Sequence, residues 1–513
     1  MPFAFALQAV SPRYVRACVV RLTRPPGGEE AERFGANGGC LVELSTEWVV
    51  AVLHLVQHEL VLLAAVGILL LGAEDLLFDL LWLGRPRRAP LLSTQPSLTG
   101  TIAIFVPAWR ENMVLPDTID AMLRVWAGED VRIYIGCYRN DAETIFAISQ
   151  RVAAHAPLRL VIGTANGPSS KADNLNRIWQ AMGADERAEG RRFAAVVLHD
   201  AEDRVHPDEI ALFRRELPGA AMVQIPVEPM LVAAQGPIAA HYADEFAEAH
   251  GKELPLRAAF SAALPAAGVG CAFSRDALVL LALEHGDGPF HADSLTEDYE
   301  LGLILGSRGG KCRFVEARAA DGSRIAVRSE FPATLEGCVR QKSRWIAGIA
   351  LAGWDRLDWS GASGRRRRQG RHAGVAPWLI CWMLWRDRRA PLAAVVILAA
   401  YLGLLVAGVV QVGVLARWWQ PAPLADGLAI LLIVNAGLML WRLGMRFVFS
   451  SAIYGWRQGL LAIPRAFLAN VIHILAARRA LVIYVRQLRT RTLVWDKTEH
   501  AALTSLRPAA EES

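Results

Sequence analysis

Charge of one sign is not in excess in this 513-residue sequence: 55 Lys and Arg stand against 50 Asp and Glu, a formal net charge of +5. That balance by itself does not indicate a nucleic-acid partner. Cysteine is scarce. The seven cysteines show no C-x-x-C pair and no metal-like spacing, which excludes a disulfide framework and suits reduced thiols in a cytosolic domain. No G-x-x-x-x-G-K-[ST] loop occurs, so a P-loop nucleotide site is excluded. No internal repeat is visible. Residues 1–45 lack the ordered charged, apolar and cleavage regions of a signal peptide and contain a Pro-Gly-Gly-Glu-Glu loop. They read as an N-terminal segment that is disordered.

Apolar residues are abundant, at 53%, and the excess sits near the ends. Leu392 to Ala416 carries no charge and a single polar amide, Gln411. At about 1.5 Å per residue such a run crosses a hydrocarbon layer of about 30 Å with some tilt. A second span runs from about Pro423 to Trp441, with Trp418, Trp419 and Trp441 as interfacial anchors. A third, Trp48 to Gly72, is interrupted by His54, Gln57, His58 and Glu59 but apolar from Leu60 to Ala73. Basic clusters flank these spans: Arg85, Arg87 and Arg88, then Arg365 to Arg368 with Arg371, then Arg386, Arg388 and Arg389. The positive-inside rule therefore puts residues 85–389 in the cytoplasm, the 417–423 loop outside, and Arg442 and Arg446 inside again. Residues 447–490 mix apolar stretches with Arg457, Pro464, Arg465, Arg478 and Arg479 and read as interfacial helices, with a further crossing as the alternative. The expected order is an N-terminal segment (1–45), a transmembrane region (46–84), a cytoplasmic α/β domain (95–335), interfacial helices and a basic loop (336–390), two transmembrane helices (391–446), and interfacial helices with a tail (447–513).

Within the cytoplasmic region, short β-type runs alternate with helical stretches. The runs are Thr101–Val106, Val131–Tyr138, Leu158–Gly163, Phe193–Leu198 and Ala221–Val227. Continuous apolar strands between helices predict a mainly parallel sheet covered on both faces. Ligands of such sheets sit beyond the carboxyl ends of the strands, and that is where polar motifs stand. Pro107 to Glu111 turns out of the first strand and offers a wall for a nucleobase, or is an ordinary loop. Asp141 follows the second strand, where a carboxylate suits a base or ribose, or simply makes a turn. Lys171, Asp173, Asn174 and Asn176 open a helix, where a cation and amides suit a phosphate or ribose, with capping by Ser169 or Ser170 as the alternative. Asp200, Glu202 and Asp203 crowd the end of a buried strand. Their mutual repulsion points to a bound cation, and hard ions such as Mg²⁺ or Mn²⁺ bind through a few carboxylates plus substrate phosphates; a solvated acidic turn is the alternative.

Ser294-Leu-Thr-Glu297 matches a capping box, with Asp298 in the first helical turn. A first-turn carboxylate facing a pocket is also well placed as a general base. Gln341, Arg344 and Trp345 share one helix face at i, i+3 and i+4. A forked guanidinium suits a diphosphate and a large ring suits stacking on a sugar; an interfacial basic helix with an anchoring Trp is the alternative.

These motifs together resemble the membrane-embedded, processive glycosyltransferases of family 2, such as cellulose and hyaluronan synthases. The strings Leu-His-Asp-Ala-Glu-Asp, Leu-Thr-Glu-Asp-Tyr-Glu-Leu-Gly, Arg-Gln-Lys-Ser-Arg-Trp-Ile and Trp-Asp-Lys-Thr-Glu-His are similar to the bacteriophage adsorption protein B family in particular. The likeness covers about residues 45–500. It implies an α/β GT-A fold and inverting transfer from a UDP-sugar, with an N-acetylhexosamine as the expected sugar. Carried over by motif, Asp200 and Glu202 hold the metal and diphosphate, Asp298 is the base, Gln341 and Arg344 bind the diphosphate, Trp345 the acceptor, and Asp141 the nucleoside. Many relatives have Asp where Glu202 stands. The resemblance further implies a bacterial inner-membrane protein that builds an exported polysaccharide with an outer-membrane partner. No cyclic di-GMP-binding pattern is found in the sequence, so such control is expected from a separate protein. Two rivals are a transferase that puts one sugar on polyprenyl phosphate and a non-enzymatic receptor or scaffold.

Overall fold

A computed structural model describes residues 46–85, 96–357, 359, 375–421 and 423–490. The readings made on residues 1–45, on Arg87, Arg88, Arg365 to Arg368 and Arg371, and on Trp495 to His500 lie outside the described residues. The described residues from Leu55 onward form one compact unit. Helix α1 spans Thr46–Gly84.

The α/β domain follows in the order β1 (Ile102–Pro107), α2 (Leu115–Val125), β2 (Val131–Tyr138), α3 (Ala142–Ala154), β3 (Leu158–Gly163), α4 (Lys171–Glu189), β4 (Ala195–Leu198), α5 (Glu209–Glu216), β5 (Met222–Gln224), β6 (Val227–Pro229), α6 (Gly236–Glu248), α7 (Leu254–Ala259), β7 (Cys271–Ser274), α8 (Arg275–His285), α9 (Glu297–Ser307), β8 (Cys312–Phe314) and β9 (Val327–Ser329). Seven strands make one sheet in the order β3-β2-β1-β4-β7-β5-β8. It is parallel, as the alternation predicts, except at β7, which runs antiparallel to β4 and β5.

Every residue of β1 is buried, because both faces of the sheet are covered. Ile102, Ile104 and Val106 pack toward Leu115, Ile119 and Met122 of α2, while Ala103 and Phe105 pack toward Leu175, Ile178 and Met182 of α4. The run Ala221–Val227 is not one strand. Pro226 has no N–H to continue a ladder, so β5 stays in the main sheet and β6 pairs with β9 in a separate parallel ribbon. That ribbon carries Val227 and Ser329 to the mouth of the site.

Helix α10 (Leu335–Ile346) is followed by a π-helical segment, Ala347–Ala352, and by α11 (Gly353–Arg356), α12 (Pro377–Arg388), α13 (Ala390–Leu415), α14 (Asp426–Tyr454) and α15 (Trp456–Thr490). Helices α1, α13, α14 and α15 are long and apolar enough to cross a membrane. The last of these differs from the expected interfacial helices of 447–513: residues 447–454 complete α14, and α15 is one helix of 35 residues. Its Arg465 does not force it onto the surface, because that guanidinium is buried against Asp244 of α6 at 2.8 Å.

Paired charges fasten α12 and the α/β domain to the long helices. Arg386 donates to Glu74 of α1 at 2.6 Å, Lys252 to Asp79 of α1 at 2.6 Å, and Arg446 of α14 to Glu248 at 2.8 Å. Buried pairs add little net stability, but breaking one strands its partner. Their effect here is to hold one orientation of the domain relative to these helices.

Candidate active site

The turn after β4 sorts three neighbouring carboxylates into two roles. Asp200 and Glu202 line a cleft of about 100 Å³. Asp203 instead turns inward, where it accepts from the Asp200 backbone N–H at 3.0 Å and from the Ser329 hydroxyl, and pairs with His199 Nδ1 at 3.0 Å. His199 Nε2 lies 3.0 Å from Glu209, and all three side chains are buried. Burial opposes charging His199, but Glu209 and Asp203 overcome it and push its pKa up to about 10. An imidazolium donating to both acids thus locks the backbone that presents Asp200.

Lys171 is the first residue of α4. Ser170 caps that helix, accepting from the Asp173 N–H at 3.1 Å, so the capping alternative holds for the serine and leaves the lysine free to reach across. Its Nζ stands 2.6 Å from Asp200 Oδ1. The amides of the same motif serve the fold. Asn174 donates to Gly136 O at 3.0 Å, and Asn176 donates to Phe290 O at 2.8 Å.

Helix α9 starts at Glu297, but the capping box does not form. Ser294 Oγ donates to Glu300 at 2.6 Å and accepts from the Thr296 N–H at 3.2 Å, and Thr296 makes no side-chain cap bond. Asp298 Oδ1 accepts from the Tyr299 N–H at 2.8 Å. Gly268, with φ +79°, lies so close that an added Cβ would stand 2.2 Å from Asp298 Oδ2. Gly268→Ala therefore has to displace this carboxylate as well as strain the backbone. It is expected to cost about 1–3 kcal/mol of stability and to slow turnover roughly 10–100-fold, read from thermal unfolding and initial rates in the same detergent. Burial pushes the Asp298 carboxyl above the ordinary aspartate range, against the pull of Lys171.

Thr334 caps α10, accepting from the Gly337 N–H at 3.1 Å, and Gln341, Arg344 and Trp345 of that helix line the cleft. Lys342 points elsewhere, 2.6 Å from Glu245. Buried Gln341 Oε1 and Arg344 Nε have no hydrogen-bond partner among the described residues, which marks this face as built for a polar ligand. Trp345 stands edge-on to Tyr242 at 6.0 Å, and Phe246 and Phe331 complete the aromatic wall.

Residues 99–348 match the family model described as glycosyltransferase like family 2. The α/β domain of this chain belongs to glycosyltransferase family 2. Its fold is GT-A. The chain is 34% identical over 426 residues to bacteriophage adsorption protein B of Escherichia coli, an alignment covering 78% of this chain and 54% of that protein. The chain thus spans about half the length of the curated relatives it matches. Among solved structures, a mannosyltransferase from Pyrobaculum calidifontis in complex with GDP-Man and Mn²⁺ is similar at 17% identity and a TM-score of 0.48, covering 82% of this chain and 99% of that one. Glucosyl-3-phosphoglycerate synthase from Mycobacterium tuberculosis with Mn²⁺, UDP-glucose and phosphoglyceric acid has a TM-score of 0.27 at 17% identity, covering 42% and 69%.

The cleft brings together Lys171, Asp200, Glu202, Asp298, Gln341, Arg344 and Trp345 from four separate stretches of chain. Pro107, Glu111 and Asp141 are not among its lining residues. Pro107 ends β1 beside Gly136. Asp141 caps α3, accepting from the Thr144 N–H at 3.4 Å, and ties down the Arg110 N–H at 2.6 Å. Glu111 is buried nearby, with its backbone N–H on Thr144 Oγ1 at 2.9 Å, and its charge acts on Glu202. Ser329, Glu330, Phe331, Phe246 and Gly268 were not foreseen. Of these, Gly268 had a signal: two glycines flank Val269 just before the apolar run of β7.

Among the described residues no three His, Cys, Asp or Glu side chains converge as a metal cage. The donor set nevertheless fits a divalent ion shared with substrate. Burial, Asp200, Glu111 and Asp203 all push the Glu202 carboxyl well above its ordinary range, an accumulation of negative charge that a hard cation would relieve. Asp200 and Glu202 would hold it, with phosphate oxygens and water completing the shell.

Proposed function

We propose that this protein is a divalent-metal-dependent, inverting glycosyltransferase that moves a sugar from a UDP-sugar to a growing polysaccharide at the bacterial inner membrane. The observation that carries this reading is the convergence of Asp298, the Asp200/Glu202 pair and the Gln341–Arg344–Trp345 face on one cleft. Relatives point the same way, since similar structures hold GDP-Man or UDP-glucose with Mn²⁺. The choice of UDP, and of an N-acetylhexosamine as the sugar, rests on the resemblance to family 2 synthases.

In this mechanism Asp298 takes the proton of an acceptor hydroxyl as that oxygen attacks the anomeric carbon. The bond from that carbon to the diphosphate oxygen breaks on the opposite face, so configuration inverts. Arg344 and Lys171 stabilise the charge that grows on the departing diphosphate. A divalent ion bound at Asp200 and Glu202 supplies further Lewis-acid stabilisation of the same group. One base suffices because a nucleoside diphosphate leaves without protonation, whereas glycoside hydrolysis needs two paired carboxylates. Trp345, backed by Tyr242, offers a ring against which the acceptor sugar stacks. Export through the membrane helices would involve an outer-membrane partner.

Purified protein in lipid should incorporate label from one member of a panel of radiolabelled UDP-sugars, in the presence of Mg²⁺ or Mn²⁺, into a product of many residues. A product with a single sugar on a lipid would replace the polymer reading. Failure to use any nucleotide sugar would refute the transferase reading and favour a scaffold.

A further inference from the structure

The acidic floor of the cleft is not left to itself. Lys171 Nζ lies 2.6 Å from Asp200 Oδ1, with both side chains largely covered, at 18% and 32% exposure. Glu297 and Asp298 act on the same ammonium. One lysine therefore compensates both the acid that would hold a metal and the acid that would act as base. Paired with Asp200 at 2.6 Å, Lys171 is a resident cation of the cleft. Its backbone is fixed, since Ser170 caps the helix at this point. Its four-carbon stem is a flexible arm with three donors and can move between anionic partners.

A divalent ion arriving alone at Asp200 meets an oxygen that already carries a charged partner, and the two cations repel. A diphosphate changes that balance. It offers the ammonium another anion in the same cleft, and Arg344, which lines that cleft, has its Nε without a hydrogen-bond partner among the described residues. We propose that Lys171 is an internal counter-ion that keeps the Asp200 carboxylate from a lone divalent cation and releases it when a nucleoside diphosphate binds, so that metal and diphosphate enter as a coupled pair. This inference rests on the nucleotide-sugar reading of the cleft. It adds an order of events: cation affinity is set by whether the lysine has somewhere else to go.

The test is equilibrium binding of Mn²⁺ to the full chain in lipid nanodiscs, followed through the electron paramagnetic resonance signal of free Mn²⁺, with and without UDP. In the wild type, UDP should tighten Mn²⁺ binding by roughly 30-fold, within the ordinary range of coupled sites. In Lys171→Gln, Mn²⁺ alone should bind about tenfold more tightly than in the wild type, and the effect of UDP should shrink to about threefold. Lys171→Arg, which keeps the charge, should restore weak binding of Mn²⁺ alone. Equal affinity of wild type and Lys171→Gln for Mn²⁺ without UDP would overturn the inference, as would wild-type Mn²⁺ binding that ignores UDP. If UDP fails to bind the wild type at any Mn²⁺ concentration, the nucleotide-sugar reading itself falls, and this inference with it.

Discussion

Asp298→Asn is expected to lower the rate of sugar transfer by about 10²–10⁴-fold, the usual worth of a positioned general base, while UDP binding stays within a few-fold of wild type. The substitution keeps the shape of the side chain and its acceptance from the Tyr299 N–H, so the start of α9 should survive. What it removes is a group able to hold the acceptor proton. Single-turnover release of UDP would report the chemical step, and equilibrium binding the donor site. Transfer at the wild-type rate would remove Asp298 from the mechanism. The same residue sets a pH dependence. Burial raises the Asp298 carboxyl, and burial together with Asp298 pushes neighbouring Glu297 up to about 7. The two titrate as a pair. A base works only when ionised, so activity should be present above the raised value and be lost as pH falls through it. The acid limb of the rate profile is therefore expected well above the ordinary aspartate range of about 4. A limb at or below that range would mean that a solvated carboxylate, not this buried one, controls the rate.

Chelation of divalent cations is expected to reduce transfer about 10²–10³-fold, comparable with loss of a principal charge-stabilising group, and added Mn²⁺ or Mg²⁺ should restore it. Asp200→Asn should reproduce the loss in the presence of metal, because it weakens cation binding and also strips Lys171 of its 2.6 Å partner. Glu202→Gln should show a smaller stability cost than Asp200→Asn, since burial and three neighbouring acids disfavour the charged form of Glu202 and removing that charge relieves repulsion. Initial rates across a metal titration, with thermal unfolding as the control for folding, would separate these effects. Full activity in the presence of excess chelator would refute metal dependence.

Much of the architecture was legible because it follows from local physics. Strands such as Ile102–Pro107 are apolar throughout since both faces are covered, and α13 declares itself by 26 residues without a charge. The residue types of the cleft were legible for a related reason: carboxylates at the end of a buried strand, or a guanidinium and an indole on one helix face, have few structural uses that justify their desolvation. The turn after β4 was read less fully. By residue type the three acids look equivalent, and only the family resemblance singled out Asp200 and Glu202; in the fold Asp203 faces inward, accepting from Ser329, 126 residues further on.

Element types, the chain order of the motifs and the length and apolar character of α1, α13 and α14 were thus determined by the sequence itself, since each depends on periodicity, length or composition over neighbouring residues. The antiparallel β7, the break at Pro226, the division of labour between Asp200 and Asp203, the Lys171–Asp200 pair and the fit of Gly268 beneath Asp298 were decided only in the folded molecule. Each is a contact between segments remote along the chain. No local period encodes which of several well-placed polar groups will find its partner first.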